Sequence, residues 1–344
     1  MQTYRKAILI FLLAIGTFAA SAQDNPNDAL MKEGMALHNQ GNYAGAIEKY
    51  NAVLKADPEN GYANYELAFS LYASKKGAEA LPYLDKAVKA DQPKLTVAAY
   101  SLMASIYDES HQSPKAIEAY GKAIKIDPDY PQIYYNLGIA YFRNQQYTEA
   151  ENAAIEAIKH NPKNASSQRL YALVTFHQNK RANALLGLCS FILLEPNTAR
   201  STEAYNNIQS ILKGGVIKNA DGSTTVGVSA KDDKETGTLN TSISLIALSA
   251  QNKKLTGIDL LTYELKSAFT MFGELDEKKT TGKTFFDKFF VAYFYKLAQT
   301  DNMPAMARTV ALTVNKEESA NWAKEHTQEI NNLAAWLQST ERGF

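Results

Sequence analysis

A single cysteine, Cys189, stands in 344 residues. No disulfide can form within the chain, whatever the redox state around it. Neither sign of charge is in excess, with 36 basic and 36 acidic residues and a formal net charge of zero. That balance argues against nucleic acid or a polybasic membrane surface as partner, both of which select basic patches. After the N-terminal segment no run reaches the ~18 uncharged apolar residues of a spanning helix. Catalytic spacing is missing too. The five histidines, His38, His111, His160, His177 and His326, are dispersed, with no metal-ligand spacing, and read as exposed or groove-lining side chains. The stretch "TTGKT" at 280–284 has Glu277, not glycine, five residues before Gly282, so no phosphate loop forms. Ser190 lacks a glycine elbow, and Cys189 beside it reads as a buried small hydrophobe. "KDDKE" at 231–235 is too short for a metal cage and reads as solvated loop charge. No enzyme, cofactor or metal is expected.

What is present begins with 45% hydrophobic and 10% aromatic residues, enough for a substantial core. The length suits two domains or one long array of repeats. The N-terminus reads "MQTYRKAILIFLLAIGTFAASAQ". Arg5 and Lys6 precede an apolar run from Ala7 to Ile15, and Ala20-Ser21-Ala22 closes it. That is the order of a secretory signal peptide, predicting removal of residues 1–22. No cysteine lies near the cut to take a lipid. An exported protein of the bacterial periplasm or exterior is expected, with no transmembrane segment after cleavage.

The chain repeats itself. "AIEKYNAVLKADPEN" around Ala46 returns as "AIEAYGKAIKIDPDY" around Ala116 and, more loosely, as "AENAAIEAIKHNPKN" around Ala150. Aligning Ala46, Ala80, Ala116, Ala150 and Ala184 gives spacings of 34, 36, 34 and 34 residues. The longer spacing is assigned to the "DQPKLT" loop before Val97. Five units follow, 27–60, 61–94, 97–130, 131–164 and 165–198, and "ARSTEAYNNIQSILKGG" supplies a capping helix over 200–213. Small residues such as Gly34 and Ala68 are expected where paired helices cross. Pro58, Pro128, Pro162 and Pro196 punctuate the second helix of their units, while Gln92 takes that place in the second.

This period, with its sparse pattern of small, large and proline positions, resembles the tetratricopeptide repeat. The fourth unit carries the pattern best, in Tyr134, Leu137, Gly138, Tyr141, Tyr147, Ala150, Ala157 and Pro162. The resemblance implies an all-α, right-handed α-solenoid of helix-turn-helix repeats, whose first helices line a concave groove for peptides or partner helices. It places Met31, Met35 and His38 in that groove from the first unit, and Tyr62, Tyr65, Phe69 and Tyr72 from the second. Ser101, Ser105 and Asp108 follow from the third, then Tyr135, Ile139, Phe142 and Arg143, and lastly Arg169, Leu173, Phe176 and His177. Aromatics and arginine are the residues of binding hot spots. The lysine-and-asparagine clamp of some family members is absent, Met31 and Met35 standing at two of its positions. A hydrophobic or extended protein partner is implied, rather than a captured carboxylate.

From Gly214 the composition turns to Gly, Ser, Thr and Asp, and 214–238 reads as a loop or a short hairpin about Asp221-Gly222. A mostly helical region over 239–344 follows, matching no family. "TFFDKFFVAYFYKLAQ" sets Phe285, Phe286, Phe289, Phe290, Tyr293 and Phe294 on one stripe, the pattern of a core helix. A final helix is expected from Glu317 to Ser339. The function implied is an exported, non-enzymatic scaffold whose aromatic groove takes a protein or peptide partner in the cell envelope. Three alternatives stand beside it: the repeats serve as docking arm for a C-terminal ligand-binding or catalytic domain, the groove takes a small ligand, or the C-terminal region folds over the groove and makes its aromatics core.

Overall fold

The computed structural model describes residues 26–219, 224–227 and 229–344. The predicted signal peptide and the hairpin turn at Asp221-Gly222 lie outside the described residues. The chain divides between Leu102 and Met103 into two compact units.

The first unit holds α1 (Pro26–Asn39), α2 (Tyr43–Ala56), α3 (Gly61–Ala73), α4 (Gly77–Ala87) and the start of α5 (Pro93–Glu109). Helices α1 and α2 pair, as do α3 and α4. At the first crossing a Cβ on Gly34 would stand 2.5 Å from the ring of Tyr50, itself fully buried. Only hydrogen fits there. Asn42 and Asn60 cap α2 and α3 by accepting from the backbone N–H three residues on.

The second unit continues α5 and adds α6 (Ser113–Ile126), α7 (Pro131–Arg143), α8 (Tyr147–His160), α9 (Ala165–His177), α10 (Arg181–Leu194) and α11 (Ala199–Lys213). Strands β1 (Val216–Lys218) and β2 (Thr224–Val226) pair antiparallel, Val216 opposite Val226. Then come α12 (Lys234–Asn252), α13 (Gly257–Glu277), a π-helical turn Phe286–Val291, α14 (Ala292–Ala298), α15 (Met303–Val310), α16 (Lys316–Glu325) and α17 (Thr327–Ser339).

The repeat period is written twice in the backbone. Ala46, Ala80, Ala116, Ala150 and Ala184 are all fully buried. Gly41, Lys75, His111, Gln145 and Asn179, at the same spacing, all take the left-handed conformation, with φ between 58° and 77°. At each, the left-handed residue's N–H bonds three residues back and the next N–H bonds five back, as Lys75 N to Tyr72 O and Lys76 N to Leu71 O. That is the helix stop which satisfies the last carbonyls of the first helix. The chain is thus all-α apart from the hairpin, and of the α-solenoid repeat class.

Several boundaries differ from the expected ones. Helix α5 opens at Pro93, four residues before Val97. Proline suits a first turn, where its missing N–H is not needed. The supposed loop is therefore partly helix. Helix α12 begins at Lys234, inside the stretch read as loop, because Asp233 accepts from the N–H groups of Glu235 and Thr236. The expected final helix is two: His326 leaves helical geometry at φ −120°, ψ 39°, and its ring stacks on Trp322 at 4.3 Å.

Nor do the helices after Gly214 form a core of their own. "RANALLGLCSFILL" is apolar all round, the mark of a helix buried on every side. In α10, Leu185, Leu186, Cys189, Phe191 and Ile192 are fully buried. This helix meets α9, α11, α12, the π-helical turn and α15. Tyr171 of α9 stacks on Phe290 at 5.1 Å, and Phe269 lies against Phe294 at 4.7 Å. The last repeat is closed by the C-terminal helices, with α11 as the first layer of that closure. The phenylalanine stripe is core, with Phe289, Phe290 and Phe294 fully buried.

Candidate functional site

In the first unit, α1 and α3 present the predicted side chains together. Tyr62, Tyr65 and Phe69 follow one another at helical spacing along α3, and Met31, Met35 and His38 do so along α1. The imidazole of His38 stacks on Phe69 at 4.6 Å, and Tyr65 lies over Phe69 at 6.2 Å. Tyr43 meets His38 edge-on at 5.2 Å. The ring of His38 is fixed by Nδ1, which lies 2.8 Å from Oγ of the fully buried Ser70. Burial lowers the His38 pKa, so the neutral imidazole is favoured in this stack. Yet the ladder is open on its outer side. Tyr62 is 53% exposed, Met35 45% and Phe69 37%, while Met31, Tyr65 and Tyr72 are half-buried. Tyr62, Met35 and Phe69 are thus no part of the first unit's core.

The corresponding side chains of the second unit are occupied differently. Arg143 is ion-paired with Asp108, and Arg169 with Glu203 at 2.6 Å. Desolvation raises the Asp108 pKa, and the Arg143 charge opposes that rise. Phe142 meets His177 edge-on at 5.0 Å, and His177 stacks on Tyr147 at 5.4 Å. Tyr135, Ile139, Phe142 and Phe176 pack partly against the core. The two arginines expected to meet a partner already have carboxylates.

A second feature escaped sequence reading. Arg181, at the start of α10, donates through Nη2 to the carbonyls of Ile211 and Gly214, which end α11. Through Nη1 it donates to the carbonyl of Asn240 and to Ser244 Oγ on α12. Asn240 accepts from Arg181 N and donates to Asp232, which also accepts from Asn179. So Asp232, read as solvated, is tied in, and Glu235 of the same stretch pairs with Lys279. Arg181, Asn179, Asp232 and Asn240 line a cavity of about 290 Å³ with Phe176, Gly215 and Gly227. Burial lowers the Arg181 pKa while Asp232 opposes that shift. Partners 59 to 63 residues away gave no signal in sequence.

Paired helices at a 34-residue period, stopped by one recurring left-handed turn, define a repeat protein of the α-solenoid class. Tetratricopeptide-repeat models match residues 31–94 and 131–164, and a TPR-repeat model matches 106–145. These residues carry repeats of the tetratricopeptide-repeat family. The chain is similar to a TPR repeat-containing protein of Methanocaldococcus jannaschii, 27% identical over 122 residues, covering 36% of this chain and 21% of that one. The TPR repeat-containing protein YpiA of Bacillus subtilis is 29% identical over 127 residues, covering 36% and 29%. Hsp70-Hsp90 organizing protein 3 of Arabidopsis thaliana is 28% identical over 108 residues, covering 31% and 19%. The chain thus spans less than a third of the length of these relatives. Among solved structures, MamA is 25% identical with a TM-score of 0.44, covering 47% of this chain and 94% of that one. YrrB, described as a TPR protein with an unusual peptide-binding site, is 16% identical with a TM-score of 0.46, covering 55% and 98%. Proteins of this family are generally non-catalytic scaffolds for protein–protein interaction. No helix among the described residues is long and apolar enough to cross a membrane.

Proposed function

We propose that this protein is an exported, non-catalytic scaffold of the bacterial cell envelope. It docks a hydrophobic, extended segment of a protein partner on the aromatic face of α1 and α3. The observation that carries this reading is the ladder His38–Phe69–Tyr65, bordered by exposed Met35 and Tyr62. Large apolar side chains grouped on one exposed face mark interaction surfaces, and aromatics bury much area at small entropic cost. The N-terminal segment, with its charged, apolar and small-residue order, supports export. Replacing Tyr62 and Phe69 together by alanine should abolish partner pull-down and leave the helical circular-dichroism signal unchanged. Partner recovery equal to wild type would contradict the proposal.

The cavity beside Arg181 favours a second reading, in which the repeats are a docking arm for a ligand-binding C-terminal region. Its polar groups speak against that role. Arg181 spends both terminal nitrogens on protein acceptors, and Asp232 accepts from two asparagines.

A further inference from the structure

The segment after α17 turns back onto the stripe of phenylalanines. Past Thr340, whose N–H bonds to Trp336 O at 3.0 Å, the chain has no regular structure. There Arg342 lays its guanidinium among four rings. Its Cζ is 3.9 Å from the centroid of Tyr293, 4.8 Å from Phe289, 5.7 Å from Phe294 and 5.8 Å from Phe290. Two residues on, Phe344 stacks on Phe289 at 5.4 Å and is 53% exposed. The tail therefore occupies a cage with its arginine and a ledge with its phenylalanine.

What the cage withholds from Arg342 is an anion. Arg143, Arg169, Arg200 and Arg308 each pair with a carboxylate, and Arg181 has four acceptors. Among the described residues no carboxylate pairs with Arg342, and its Nη1 is buried without an acceptor. Desolvation holds this guanidinium down to about pKa 10, with Tyr293 working in the opposite direction. Ring faces attract a guanidinium, but an unpaired buried charge bears a desolvation cost that stacking returns only in part. A tail held on those terms is poised to leave.

We propose that Phe289, Phe290, Tyr293 and Phe294 form a guanidinium-binding site, and that Arg342 and Phe344 plug it. Its ligand in trans is an arginine-x-aromatic segment of a protein partner. Such a segment competes by bringing the carboxylate that Arg342 lacks. The site uses none of the residues of α1 and α3, and stands whether or not that face docks a partner.

The test uses the full chain and a fluorescein-labelled Thr-Glu-Arg-Gly-Phe peptide, read by fluorescence anisotropy. Arg342→Ala with Phe344→Ala empties the cage. That variant should bind the peptide at least about tenfold more tightly than wild type, because an occupied site binds only through the fraction with its plug out. The same peptide with lysine for arginine should bind about tenfold more weakly, lacking the planar group that stacks on Tyr293. If the double variant does not fold, Arg342→Lys decides by the same titration. No gain over wild type in the folded variant, or equal binding of the two peptides, would overturn the proposal.

Discussion

At position 34 the absent side chain is the structural feature. In an exposed helix, alanine for glycine gains about 1 kcal/mol. Here a Cβ would lie 2.5 Å from the buried ring of Tyr50, so overpacking of about 1–3 kcal/mol opposes that gain. Gly34→Ala should lower the urea midpoint, and a rise would show that Tyr50 can yield. The turn residues make the opposite case. His111 sits at φ 58°, where a Cβ costs roughly 1–2 kcal/mol. His111→Gly should stabilise by about 1 kcal/mol after the added freedom of the unfolded chain is subtracted. A lower melting temperature would refute it. Of these five turns only Gly41 was read in the sequence, although asparagine, as at Asn179, also favours the left-handed conformation. Lys75 and Gln145 announce nothing of the kind, and they are held there by backbone bonds. Glu66 adds a pH dependence. Desolvation raises its pKa, so the fold binds a proton more readily than the unfolded chain. Stability is then fullest below the ordinary glutamate range and falls as pH climbs through the raised value. Glu66→Gln should flatten the change in urea midpoint between about pH 4 and about pH 7. A slope equal to wild type would exclude Glu66 as its source.

At the scale of elements, the paired helices were readable because small, large and proline positions recur in register. Helices α2, α6, α8 and α10 each end two residues before the proline that punctuates them. Where Gln92 replaces it, α4 ends at Ala87 and the next helix opens early, at Pro93. The start of α12 was hidden because its signal is one side chain, Asp233, and Thr236-Gly237-Thr238 shortly after it read as loop. The break at His326 was hidden because Trp322, Ile330 and Trp336 keep apolar residues coming through it. Arg181 shows what local reading cannot reach. It closes the last carbonyls of α11 and holds α12 from the start of α10. Arg181→Ala should cost about 2–4 kcal/mol, since several buried acceptors lose a charged donor. It should also open the backbone at Gly214 and Gly215 to limited proteolysis. Wild-type cleavage rates would mean that water replaces the guanidinium without loss.

For the whole molecule, the stripe of small residues and the period told the fold class, but not how the last repeat ends. Its closing helix is apolar on every side, a pattern that says "buried" without saying by what. The answer is the C-terminal helices, reached only through contacts far apart in sequence. Of the predicted groove, residue positions were legible and their freedom was not. Arg143 and Arg169 are engaged by Asp108 and Glu203, whereas Tyr62, Met35 and Phe69 remain exposed. The central proposal, that this exposed aromatic face of α1 and α3 docks a partner, is tested most directly by site-specific photo-crosslinking in the producing cell. A photo-reactive amino acid replaces Tyr62, or Lys55 on α2 as control. The account predicts one discrete adduct from position 62, lost when Phe69→Ala is added, and none from position 55. Equal adducts from both positions, or an adduct at 62 indifferent to Phe69→Ala, would contradict it.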